Sequence, residues 1–92
     1  MMNKTFKTPS ELGQMIALNM RVRRKASKLS LKRLSEMSDV SYGSLKRFES
    51  SGEISLISLL KIAIVLGCAD AFEQLFAGVE PQSIQEIING NL

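Results

Sequence analysis

The side chains best suited to contacting another molecule cluster between Ser30 and Gly52, SLKRLSEMSDVSYGSLKRFESSG. On a helical period Tyr42, Gly43, Lys46 and Arg47 share one face, while Leu45 and Phe48 point the other way. A guanidinium donates paired hydrogen bonds in a fixed plane, an ammonium supplies a mobile point charge, and a phenol donates from a flat apolar ring. These are tools of recognition. Bond-breaking chemistry finds no such set. The chain has no histidine, and no carboxylate pair, nucleophile–base set or phosphate-cradling glycine loop stands at useful spacing. An enzyme is therefore not expected, and no cofactor or metal is called for. The single cysteine, Cys68, excludes an internal disulfide and is expected to be a buried small apolar residue.

The recognition residues need helices to hold them, and the apolar spacing supplies these. Few aromatics and no strongly alternating run point to an all-α build with one modest core. Residues 1–7 read as a flexible basic arm. Thr8-Pro9-Ser10-Glu11 then has the form of a capping box with proline at the first helical position. That helix is expected to run to about Ala26. Leu12, Ile16 and Met20 form one stripe on it, and Met15, Leu18 and Val22 a second. So wide an apolar face suggests that its first turns are covered by something further along the chain, for instance the C-terminal tail.

Ser30 caps a second helix, about Leu31 to Ser38, with Leu34 and Met37 facing inward. Ser38-Asp39-Val40 is a turn in which Asp39 takes a left-handed conformation. Ser41 caps a third helix, about 42–50, with Val40 as the staple before the cap. Ser55 caps a fourth, Leu56 to Leu66, closed by Gly67. Its core stripe is Leu56, Leu59, Ile62, Ala63 and Leu66, and Ile57, Lys61 and Ile64 lie on another face. A fifth helix is expected over about Ala69 to Phe76, carrying Phe72, Leu75 and Phe76. Beyond Pro81, Ser83 to Ile88 has room for a last turn or two. The domain proper spans 8–78, and 79–92 is a tail with a possible short helix.

Charge is divided unevenly along this frame. Residues 1–50 carry eleven Lys and Arg against four Asp and Glu, a net +7, and residues 51–92 carry one against five, a net −4. A basic half that faces a polyanion is the natural reading, and a merely lysine-rich helical surface is the bland one. MMNKTFKTPSE lacks the apolar run of a signal peptide, and Ile54 to Leu66 is too short to span a bilayer. A soluble, cytoplasmic protein with no membrane partner is expected.

From about Leu12 to Leu66 the pattern resembles the Cro/repressor-type (XRE) helix-turn-helix family. The residues that carry the likeness are Arg24, Leu29-Ser30, Leu34, Val40-Ser41, Leu45, Phe48, Glu49 and Gly52 at the family's spacing. The resemblance implies a five-helix lambda-repressor-like domain with a short C-terminal extension, which places the third helix in the major groove of double-stranded DNA. It implies a structural salt bridge between Arg24 and Glu49. It implies base contacts at the positions of Tyr42, Gly43 and Arg47, with Lys46 beside them. Gly43 has no side chain to read with, and Arg47 is the best match to guanine O6 and N7. Backbone phosphate contacts fall on Ser30, Lys32, Arg33, Ser41 and Ser44, helped by helix N-terminal amides.

Three positions depart from the family pattern. Leu31 replaces a phosphate-binding Gln, and Lys28 and Asp39 stand where glycines are usual. The tail is similar to that of HipB-like antitoxins, which are encoded beside HipA-type kinase toxins. The expected function is a sequence-specific transcriptional regulator, a dimeric repressor. The alternative is an antitoxin that binds a HipA-type toxin and autoregulates its operon. Ile57, Ile64, Phe72 and Phe76 are the dimer-interface candidates, although the same residues could instead complete the monomer core.

Overall fold

The computed structural model describes residues 7–79 and 81–90, and these form six helices with no strand among them. They are α1 (Pro9–Ala26), α2 (Leu31–Ser38), α3 (Tyr42–Ser51), α4 (Leu56–Val65), α5 (Asp70–Glu73) and α6 (Pro81–Ile88). The basic arm expected over 1–7 lies outside the described residues except for Lys7. Four of the helices begin on a side-chain cap. In α1 the Glu11 N–H donates to Thr8 Oγ1 (3.1 Å) while the Thr8 N–H donates to Glu11 Oε1 (3.0 Å), which completes the capping box. Ser30, Ser41 and Ser55 accept from Arg33, Ser44 and Ser58 at 3.0 to 3.1 Å and start α2, α3 and α4.

α1 lies against α3, and α2 touches both α3 and α4. The core between them is Ala17 and Met20 from α1, Leu34 from α2, Val40 from the turn, Leu45 and Phe48 from α3, Ile62 from α4 and Leu66 just after it. Leu34 and Leu45 are completely buried and Phe48 nearly so. Val40 and Leu45 are buried together, as a hydrophobic staple requires. Cys68 is half-buried at the edge of this core rather than inside it.

Several apolar residues lie elsewhere than their spacing suggests. On α1 only Ala17, Met20 and Arg24 are buried; Leu12, Met15, Ile16, Leu18 and Val22 are exposed. Met37 is exposed, and Ser38 takes the inward position on α2 because its hydroxyl is needed in the turn. Leu56 opens α4 on the solvent side of its first turn. α5 is a single turn, ending at Glu73 rather than Phe76. Ala69 gives it no side-chain cap, and the following bonds, Leu75 N–H to Phe72 and Ala77 N–H to Gln74, are of the tighter i→i+3 kind. Phe76 then takes a left-handed φ of 63° and is almost wholly exposed. No helix among the described residues is long and apolar enough to cross a membrane.

Candidate nucleic-acid interface

α2 and α3 are joined by a turn held by four hydrogen bonds. Asp39 closes α2 in the left-handed conformation (φ 61°), its N–H donating to the Ser35 carbonyl at 3.0 Å. Ser38 Oγ donates to the Leu34 carbonyl (2.7 Å) and accepts from the Val40 N–H (3.3 Å). Ser35 Oγ donates to the Val40 carbonyl at 2.6 Å. These bonds set the angle at which α3 leaves α2. Lys28 is also left-handed (φ 59°), so both non-glycine residues at the family's glycine positions adopt the conformation that glycine makes easy.

α3 is fixed at its far end by two contacts with α1. Arg24 is 8% exposed, and its Nε donates to Glu49 Oε2 (3.0 Å) while Nη2 reaches Oε1 (3.4 Å). Its Nη1 donates to the Leu29 carbonyl at 2.8 Å, just before the α2 cap. One guanidinium thus ties α1, the entry to α2 and the end of α3 together. The second contact is backbone on backbone. Gly52 ends α3 with φ 80°, and a Cβ on it would lie 2.5 Å from the Gln14 nitrogen. A Cβ on Gly13 would lie 2.7 Å from the Gly52 carbonyl oxygen. Two glycines are needed there because the chains touch. A glycine inside a helical pattern is the signal that marks such an approach, and Gly13 carries it.

With its inner face and both ends held, α3 presents Tyr42, Gly43, Ser44, Lys46 and Arg47 to solvent. Lys46 Nζ sits 5.6 Å from the centre of the Tyr42 ring, a cation–π distance. Ser41 Oγ donates to Ser44 Oγ at 2.8 Å, so the two hydroxyls lie together at the N-terminus. Ser30, Lys32 and Arg33 are exposed at the start of α2, where Arg33 also pairs with Glu36 at 3.3 Å. Leu31 is half-buried against the core, which explains why an apolar residue is tolerated at that position. Nothing lies within 4 Å of a Cβ placed on Gly43. Arg47 Nη2 donates to Glu53 Oε1 at 2.6 Å, a partner that no helical spacing links to it because Glu53 lies beyond the end of α3.

The resulting surface is a helix held proud of the core, rich in donors along its outer side and flanked by the capped N-termini of two helices. Such a helix fits the width of a DNA major groove, and the free amides beside it suit phosphates. The helix-turn-helix family model matches residues 20–71, more than half of the chain, and spans α2, α3 and α4 entire. The chain belongs to the XRE-type helix-turn-helix family. No curated protein and no solved structure matches it significantly. In this helix-turn-helix protein α2 and α3 are the two helices of the motif, and α3 stands in the place of the recognition helix.

The four apolar residues expected at a subunit interface belong to α4, α5 and the segment after them. Ile57 and Ile64 are exposed on α4, Phe72 is half-buried on α5, and Phe76 follows it in the open. Phe72 lines a cleft of about 240 Å³ with Ile16, Met20, Leu59, Ile62 and Leu66, between α1 and α4.

Proposed function

We infer that this DNA-binding regulator acts as a dimeric, sequence-specific repressor that reads the major groove with α3. The observation that carries the reading is the outward face of α3. Tyr42, Lys46 and Arg47 are exposed there although every apolar side chain of the helix except that of Tyr42 is buried. Arg47 is the base-reading residue, and Tyr42 and Lys46 flank it. Ser30, Lys32, Arg33, Ser41 and Ser44 hold phosphates on either side. Pairing of two copies follows from reach, since one short helix covers few base pairs and two set about 34–36 Å apart read both halves of a site. Ile57, Ile64 and Phe76 supply exposed apolar surface for that pairing. No enzymatic role is assigned.

The same exposed surface favours a second reading, in which it receives a toxin protein and DNA binding serves autoregulation. Selection of bound sequences from random duplex DNA tests the first reading, followed by titration of the selected duplex and a scrambled one. Arg47→Ala is expected to weaken the selected duplex by about 1–3 kcal/mol and to leave the scrambled duplex little changed. Equal losses on both duplexes would remove base reading from Arg47. A second protein of stoichiometric amount in material purified from its own host would favour the antitoxin reading.

A further inference from the structure

We propose that Glu53 is a specificity-determining residue that positions the Arg47 guanidinium for base recognition; the proposal rests on the base-reading role given to Arg47 above. The two side chains meet at 2.6 Å while remaining about two-thirds exposed, so the pair sits on the surface that would face DNA. A carboxylate on such a surface is otherwise unfavourable, because it repels phosphates. Its placement is closely controlled. Ser51 Oγ donates to the Arg47 carbonyl (2.7 Å) and accepts from the Glu53 N–H (3.1 Å), which links the two residues through the backbone as well as through their charges. Between them Gly52 is pressed against Gly13 and Gln14 of α1, so the residue just before Glu53 is held by a close backbone contact.

Arg47 and Glu53 line one polar cleft with Ser44, Ile54, Ser55 and Ser58, between α3 and the start of α4. A long arginine side chain has many rotamers, and fixing one edge of its guanidinium leaves the other donors to meet a planar acceptor pair in a single orientation. The bond to Glu53 uses one N–H of Nη2 and leaves its second N–H, on the opposite edge with Nη1 or Nε beside it, for that purpose. Glu53 thus acts on Arg47 and not on the DNA.

The test is a double-substitution cycle of wild type, Glu53→Gln, Arg47→Ala and the double variant. Each is titrated with the duplex selected by the wild type and with a scrambled duplex, and each is melted to confirm that it is folded. Glu53→Gln is expected to bind scrambled DNA more tightly, having lost a repulsive charge, yet to lower the selected-to-scrambled ratio about two- to fivefold, the scale of an exposed ion pair. In the Arg47→Ala background the same change is expected to leave the ratio unaltered. Glu53→Gln with an undiminished ratio, beside an Arg47→Ala variant that has lost it, would overturn the positioning role alone. An Arg47→Ala variant that keeps the ratio would overturn the base-reading role as well. An equal drop for Glu53→Gln in both backgrounds would mean that Glu53 contacts the DNA itself, and would also overturn the proposal.

Discussion

Arg24 sits in the most basic stretch of the chain, between Arg21 and Lys28, yet its guanidinium is turned inward and spent on Glu49 and the Leu29 carbonyl. Removing it strands a nearly buried carboxylate and leaves a carbonyl without its charged donor. Arg24→Ala should therefore destabilise the fold by about 3 kcal/mol or more, the scale of a broken buried pair. Urea unfolding would measure this, with DNA affinity taken at a temperature where the variant stays folded. A fully stable variant that binds DNA poorly would reassign Arg24 to the interface. Charge composition could not separate Arg24 from its basic neighbours; only its resemblance to a family position did. The Arg47–Glu53 pair was invisible for a different reason. Its partners straddle a helix end, where no i,i+4 rule applies and the turn geometry decides what meets what.

Helix boundaries were the most legible elements because their signals are local. Thr8, Ser30, Ser41 and Ser55 cap where their spacing from the apolar residues says they should. Burial was less legible, since a stripe of leucines and isoleucines does not say whether anything is present to cover it. The packing of α1 on α3 shows a further limit. Gly13 and Gly43 are both glycines inside helices, and helix propensity alone prescribes the same gain of about 0.5–1 kcal/mol for Ala at either. Sterics separate them. Gly43→Ala meets open space and should stabilise by that amount, whereas Gly13→Ala drives a Cβ into a backbone oxygen 2.7 Å away. The second should cost about 1–3 kcal/mol, as overpacking against an unyielding neighbour does. Denaturant titrations of the two variants should shift in opposite directions, and a stabilised Gly13→Ala would show that α1 and the end of α3 can move apart.

At the scale of the molecule, the dimer reading gives the basic half and the C-terminal half different tasks. The surface of α2 and α3 is polar and cationic, while α4 and the segment after it expose Leu56, Ile57, Ile64, Leu75 and Phe76. That exposed apolar surface is what the proposed pairing of two copies would cover. On the dimer reading, sedimentation should find a dimer at micromolar concentration. Ile57→Ser with Ile64→Ser should shift it toward monomer with little loss of monomer stability, because both side chains already stand in solvent. A wild-type monomer, or a dimer indifferent to both changes, would move the interface elsewhere. Charge polarity was legible from the order of residues alone, whereas the exposure of α1 was not, because it depends on where the later helices fail to reach.

The bare position at Gly43 has an evolutionary consequence. Whichever side chain replaced it would enter empty space on the outer face of α3 and would not disturb the core. Every glycine codon lies one nucleotide from codons for Arg, Val and Ala, and from those for either Ser and Asp or Glu, so a donor, an acceptor and a methyl group are all within one mutational step. On the proposed reading of DNA by α3, new sequence preferences would arise there without a detour through unstable intermediates. Duplicated copies of this gene could diverge in their targets at that residue first, and binding selections on a library varied only at position 43 would show how many distinct preferences the unchanged fold supports.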